Sequence, residues 1–233
     1  MKWRSLDESS SSTELRSLRE MYAERKELIA KYVPKDVQAL HARVVAELEK
    51  SGIASRALKL GARAPDFDLQ DQSGKQVRSS SLLERGPLVI CFIRGRWCPF
   101  CVGQLQAMDA VVGMLKESRA SLVAISPQTV HQSFLMADQH GLGFPVLSDS
   151  GNHLTRQFRL GYQVPEDQRL VYQRAFVNLP FINGDSSWEL PIPATYILDQ
   201  NGSIVNAWVS ADYSERPEPA DIVDFVSSVA AHV

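Results

Sequence analysis

Residues 88–101 decide most of what this chain can become. Leu88-Val-Ile-Cys-Phe-Ile93 is an unbroken apolar run rich in β-branched and aromatic residues, the pattern of a strand buried on both faces. After Arg94-Gly-Arg-Trp97 comes Cys98-Pro-Phe-Cys101. From there Cys101, Leu105, Met108, Val112 and Leu115 recur at steps of four and three, one face of a helix that begins at or near Cys98. A Cys-x-x-Cys where a strand runs into a helix sets its first sulfur at the helix N-terminus. There unpaired N–H groups and the helix dipole favour a thiolate. Such surroundings bring a cysteine pKa from about 8.5 into the range of roughly 3.5–7.5, and the thiolate is the nucleophile. Cys98 is therefore expected to have an exposed edge and to react first. Cys101, one turn on along the apolar face, is expected to be more buried and to close a disulfide onto the oxidised Cys98. Arg94 and Arg96 add positive potential, while Gly95, Trp97, Pro99 and Phe100 shape the turn. Cys91, in the middle of the strand, reads as a buried inert thiol.

The rest of the chain alternates in the same way. Leu122–Ser126 reads as a second buried strand, residues 129–140 as a helix, Phe144–Ser148 as a strand and His153–Leu160 as a helix. Thr195–Asp199, the Asn201-Gly202 turn and Ile204–Val209 make a hairpin, and Ala220–Ala231 a closing helix. Upstream, Pro65–Leu69, a turn at Ser73-Gly74 and Val77 predict a short hairpin. This alternating order is α/β, with a central parallel or mixed sheet and helices on both faces. Before it, Ser11-Ser12-Thr13-Glu14 offers a capping box for a helix running to Tyr32. Pro34 opens a second helix, closed by Gly52. The organisation expected is thus a helical-hairpin extension over residues 1–55 and a main domain over 56–233. Each hairpin helix carries an apolar face that needs covering, by the main domain or by a second subunit, and the second option predicts a homodimer.

Charge and composition exclude several functions. The net charge is −2 with the two signs interspersed, so no field attracts a nucleic acid. No apolar stretch approaches the roughly 20 residues needed to span a bilayer, and residues 1–10 do not have the pattern of a secretory signal. The expected location is cytoplasmic. Two of only three cysteines lie three apart, and no second pair or spaced histidines complete a zinc site, so redox chemistry is favoured over metal binding. No phosphate-binding glycine fingerprint accompanies the strands, and neither metal nor organic cofactor is implied.

Pro65-Asp-Phe-Asp-Leu69, Phe92-Ile-Arg-Gly-Arg-Trp-Cys-Pro-Phe-Cys101 and Leu190-Pro-Ile-Pro-Ala-Thr-Tyr-Ile-Leu-Asp199 together resemble a family. It is the peroxiredoxin-like branch of the alkyl hydroperoxide reductase and thiol-specific antioxidant superfamily, and the match spans about residues 58–230. The resemblance implies a thioredoxin-like three-layer fold and a thiol antioxidant enzyme. That enzyme reduces hydroperoxides at the expense of an external dithiol, such as a thioredoxin-like protein. It also implies that Pro193, followed by Ala194 and Thr195, is the cis-proline that faces the cysteine pair in thioredoxins. Three positions depart from the family. Gly95 stands where peroxiredoxins carry a threonine, Cys91 where they carry a proline, and Pro193 near the place of their later arginine. The scaffold resembles a peroxiredoxin and the Trp-Cys-Pro-Phe-Cys site a thioredoxin, so exchange with protein disulfides is the alternative activity. A redox sensor without turnover is the third. Two further stretches stand out: the aromatic insertion over residues 161–190, whose length suggests a functional loop, and Asp212-Tyr-Ser-Glu-Arg216, which leads into the last helix.

Overall fold

The computed structural model describes residues 17–230. The first helix, α1 (Leu18–Tyr32), has its N-cap at Ser17. Ser17 Oγ accepts from the Glu20 N–H at 3.2 Å and the Glu20 carboxylate accepts from the Ser17 N–H at 3.1 Å. Ser11 to Glu14 lie outside the described residues, as do Ala231 and the residues after it. A second carboxylate supports the same end of α1: Glu218 accepts from the Leu18 and Arg19 N–H groups at 2.9 and 2.8 Å. Helix α2 (Lys35–Ser51) follows Pro34 and stops at Gly52, which takes φ of +70°, a left-handed cap open to glycine at little cost. The short α3 (Ile53–Arg56) leads into the main domain.

That domain runs β1 (Asp68–Gln70), β2 (Gln76–Arg78), α4 (Ser79–Leu83), β3 (Leu88–Phe92), α5 (Pro99–Ala110), α6 (Val112–Glu117), β4 (Ser121–Ser126), α7 (Val130–His140), β5 (Val146–Ser148) and α8 (His153–Gln157). Next come β6 (Gly161–Gln163), α9 (Glu166–Arg174), α10 (Leu179–Asn183), β7 (Glu189–Pro191), β8 (Ala194–Leu198), β9 (Ile204–Val209) and α11 (Pro219–Ala230). Seven strands form one mixed sheet in the order β2-β1-β5-β4-β3-β8-β9. The pairs β3–β4 and β4–β5 are parallel and the others antiparallel.

Successive side chains of β3 point to opposite faces, and each face has its own core. Leu88, Ile90 and Phe92 pack with Phe158, Tyr196 and residues of α3, α4, α8, α9 and α10. Val89, Cys91 and Ile93 pack with Leu105, Met108, Leu115, Met136, Ile222 and Val226 from α5, α6, α7 and α11. Every residue of β3 is fully buried, which is why the run carries no polar side chain. The fold is therefore the three-layer α/β arrangement expected, with helices on both faces of a mixed sheet.

Two features differ from expectation. Residues 161–190 are not a loop: β6 and β7 pair as a separate two-stranded ribbon, with α9 and α10 between them. Tyr162, Tyr172, Leu179 and Leu190 anchor the insertion against one face of the main sheet, while Phe176 and Phe181 stay exposed. The N-terminal helices, in turn, pack on their own chain. Leu18 and Tyr22 of α1 enter the core beside α5, and α2 meets α9 through the Arg43–Asp167 ion pair and a 3.1 Å bond between His41 Nδ1 and Gln168 Nε2. Leu18, Tyr22 and Val44 are thus buried within the chain, while Ile29, Val37 and Val45 line a cavity and Tyr32 stays exposed.

Tyr22 joins the extension to the cysteine turn. Its ring meets Phe100 edge-on at 5.0 Å, and its hydroxyl donates to the Phe100 carbonyl. Tyr22→Ala removes a buried aromatic ring and a hydrogen bond together, and should lower unfolding free energy by about 3 kcal/mol in urea titration. A loss below about 0.5 kcal/mol, the scale of an exposed surface change, would show that α1 is only loosely attached.

Candidate functional site

The end of β3 sets the site. Ile93 N–H still bonds to Ile125 O at 2.9 Å, and then Gly95 turns the chain with φ of +138°. A Cβ on Gly95 would lie 2.9 Å from Trp97 Nε1, so a side chain here meets both backbone strain and a neighbour. Cys98 N–H bonds back to Gly95 O at 3.1 Å, Cys98 takes the N-cap position of α5, and Pro99 starts the helix, where its missing N–H costs nothing. Cys101 follows in the first turn. All three cysteines are free thiols.

The expected exposed edge of Cys98 is absent: Cys98 and Cys101 are both 0% exposed. The cover comes from parts of the chain distant in sequence, which a local reading of the turn does not see. Tyr22 meets Phe100 edge-on, and Tyr172 of α9 packs against Trp97 with the rings tilted and their centres 5.0 Å apart. The Arg94 guanidinium sits between Trp97 and Tyr213, 4.8 and 4.3 Å from their ring centres. A cavity of about 580 Å³ remains between α1, α2 and this cluster. Its walls include Ile29, Val37 and Val45 on the helices, and Arg94, Trp97 and Tyr172 towards the cysteines.

Arg94 Nη2 is 3.5 Å from Cys98 Sγ, and Arg94 itself is only 4% exposed. No carboxylate pairs with it among the described residues. A buried guanidinium is strongly disfavoured without a counter-charge, and here the Cys98 thiolate is the anion within reach. Burial alone pushes the Cys98 thiol up. The hydrogen bond from Cys101 and the charges of Arg94 and Arg216 outweigh it, holding Cys98 well below the ordinary thiol range. Cys101 is pushed the other way, by burial and by the negative Cys98 beside it. Its sulfur accepts from the Arg94 backbone N–H at 3.4 Å and from Arg216 Nη2 at 3.7 Å. Cys91, wholly buried, is pushed up to about 12 by desolvation, as an inert core thiol should be.

The other candidates divide. Arg94, Gly95, Trp97, Pro99 and Phe100 surround the two sulfurs. Arg96 does not: its Nε donates to Gln132 Oε1 at 2.7 Å and its N–H to Gln128 Oε1 at 3.0 Å, tying the turn to α7. Thr195 contacts the third cysteine, Cys91, at 3.9 Å between Oγ1 and Sγ. Pro193 is a correction, because the Ile192–Pro193 bond is trans. Ile192 N–H is held by Leu160 O at 2.9 Å and Pro193 O by Ser210 N–H at 3.3 Å, so the chain passes from β7 to β8 fully extended, as a trans bond continues it. The cis-proline platform of thioredoxins is not formed. Tyr172, Tyr213 and Arg216, from the two stretches that stand out in the sequence, are site neighbours, and so is Gln104, which the sequence reading passed over. Among the described residues, no three of His, Cys, Asp or Glu gather where a metal ion could be held.

A profile of the AhpC/TSA family matches residues 60–207, which include the whole cysteine turn. The chain belongs to the AhpC/TSA family. Two Mycobacterium tuberculosis proteins carrying a peroxiredoxin name are 33% identical over 101 residues, 43% of this chain and 66% of each relative, just under two thirds of their length. The chloroplastic peroxiredoxin Q of Sedum lineare is 30% identical over 159 residues, 68% of this chain and 73% of that one. The crystal structure of the peroxidoxin BcpB from Mycobacterium tuberculosis covers 76% of this chain and 98% of its own, with a TM-score of 0.58 at 21% identity. This AhpC/TSA protein thus shares the fold of its relatives, with a guanidinium from the β3–α5 turn set against the first sulfur.

Because the Cys98 shift is downward, its alkylation by iodoacetamide should hold a plateau through neutral pH and fall only as acid protonates the thiolate. Arg94→Met removes the paired charge, and should move the midpoint of that fall upward by about one pH unit or more. An unmoved midpoint would show that Arg94 does not set the thiolate.

Proposed function

We propose that the chain is a thiol-dependent peroxidase that cycles Cys98 and Cys101 between dithiol and disulfide. The observation that carries this reading is the fully buried Cys98 sulfur with a buried guanidinium at 3.5 Å that has no carboxylate partner among the described residues, a nucleophile and a hydrogen-bond donor closed to an extended polypeptide. The Cys98 thiolate attacks the terminal oxygen of a hydroperoxide and the O–O bond breaks. Cys98 becomes a sulfenic acid, and the alkoxide leaves as the alcohol after taking a proton. Cys101 then attacks Cys98 Sγ, the S–O bond breaks, and the oxygen leaves as water. An external dithiol reduces the resulting disulfide and is itself oxidised. The Arg94 guanidinium is placed to donate to the peroxide oxygens while the O–O bond lengthens.

Two observations favour a peroxide over a protein disulfide as oxidant. Both sulfurs are buried, and Pro193 is trans, which removes the backbone platform that would receive an extended peptide. Three free cysteines and the need for a dithiol suit a reducing compartment, and we place the cycle in the cytoplasm. Among the described residues no helix is long and apolar enough to cross a membrane.

Hydroperoxide consumption with a dithiol reductant in excess tests the reading. Cys98→Ser should lose turnover entirely. Cys101→Ser should consume one equivalent and leave a sulfenic acid that dimedone labels at Cys98. Sustained consumption by Cys98→Ser would sink the assignment. A wild-type protein that oxidises once and never cycles would be a redox sensor instead.

A further inference from the structure

A line of hydrogen bonds crosses the core behind Cys101. Gln104, one helical turn after it on α5, is 1% exposed, and its Nε2 donates to Thr195 Oγ1 at 3.1 Å. The Thr195 hydroxyl passes on to Cys91. The other end of the Gln104 amide faces Arg216 Nε at 2.7 Å, and since a guanidinium only donates, that atom must be the oxygen. Arg216 Nη1 is taken by the carbonyls of Tyr213 and Glu215, at 2.8 and 2.6 Å. With three oxygens fixing its plane, the guanidinium presents Nη2 to Cys101 Sγ at 3.7 Å. Among the described residues no carboxylate pairs with it.

We propose that Arg216 is the catalytic residue of disulfide closure, converting Cys101 into a nucleophile, and that Gln104 is its positioning residue. Each sulfur then has a guanidinium in contact with it, Arg94 at Cys98 and Arg216 at Cys101. The proposal rests on the reading of Cys98 as first nucleophile. In the reduced protein the two sulfurs share one negative charge, which resides on Cys98 beside Arg94. Once Cys98 is bonded to oxygen or to a substrate sulfur, that charge is gone and Arg216 is left facing a neutral thiol. The proton of Cys101 then leaves, the Cys101–Cys98 bond forms, and the bond from Cys98 to its oxygen or substrate sulfur breaks. The departing hydroxide or thiolate takes up the proton. A nearby fixed cation lowers the energy of the thiolate that must appear in this step.

Dithiodipyridine, a small uncharged aromatic disulfide, separates the two steps without any peroxide. Attack by Cys98 releases one thiopyridone, and attack by Cys101 on the mixed disulfide releases the second. In Arg216→Met the first release should slow only modestly, because Arg94 still faces Cys98, while the second slows about tenfold or more beyond that, with its pH midpoint displaced upward. Arg216→Lys keeps a charge and should recover part of the second rate. Gln104→Leu should fall between, its charge intact but its aim lost. An unchanged second release in Arg216→Met overturns the proposal. Equal slowing of both releases, with no move in the pH midpoint, also overturns it, since that marks a structural brace. A Cys98→Ser variant that still gives the first release overturns the parent reading and this proposal together. Two releases behaving as described, in a protein that ignores hydroperoxides, would leave the proposal standing and remove only the peroxide.

Discussion

The contact between the Arg94 guanidinium and the Cys98 sulfur is the constraint on which the rest of the site depends. Each partner is unfavourable alone: a cation with 4% exposure and no carboxylate, and a thiol at a fully buried helix start. Together they are an ion pair in low dielectric, where attraction is strong and the loss of either partner leaves an uncompensated charge. The aromatic box follows from this need. Trp97 and Tyr213 give Arg94 two ring faces, which hold a guanidinium without neutralising it. Tyr172 closes the box from α9. The insertion and the N-terminal helices thus exclude water from the charged pair, and burial and reactivity are two results of one arrangement.

What could be read in advance was whatever is written locally. The strand from Leu88, the capping position of Cys98, the Cys101 face of α5 and the stop at Gly52 each depend on residues a few positions apart, and each appears in the structure. What escaped depends on contacts across the chain. Arg216 lies 115 positions from Cys101, and nothing in Tyr213-Ser-Glu-Arg216 distinguishes an arginine that reaches a sulfur from one that faces solvent. Gln104 had a weak signal, as a polar residue one turn from Cys101 on a helix face that must be buried. The Ile192–Pro193 bond shows the same limit from the other side. The Pro-Ala-Thr run is equally compatible with both isomers, and the neighbours that select trans, Leu160 and Ser210, are supplied by the tertiary fold. The exposure of Cys98 was misjudged for that reason too, since a turn cannot announce the helices that lie over it.

The AhpC/TSA scaffold meets a general chemical requirement here in an unusual place. A thiolate that attacks an O–O bond needs a donor beside it, and peroxiredoxins, by the resemblance drawn above, take theirs from a later strand. In this chain that place is near Pro193, which has no donor at all, and in the cycle we propose the cation comes instead from Arg94, in the turn preceding Cys98. The threonine position is empty as well, held by Gly95, whose backbone allows the close approach of Trp97. In the proposed cycle a donor missing near Pro193 is thus replaced from a distant part of the sequence, by Arg94, and the β3–α5 turn supplies both nucleophile and donor.

Residues 212–218 have a consequence for how the molecule opens. Within this one segment Arg216 faces Cys101, and two positions later Glu218 holds the first turn of α1 through two backbone N–H groups. Helix α1 in turn carries Tyr22, which lies over the Phe100 end of the cysteine turn. Latch and cover are therefore mechanically one piece. A fluctuation that pulls residues 212–218 away frees the end of α1 and withdraws the charge from Cys101 at once. The first turn of α1 and the contact to Cys101 thus hang on the same short segment, though nearly the whole sequence separates them.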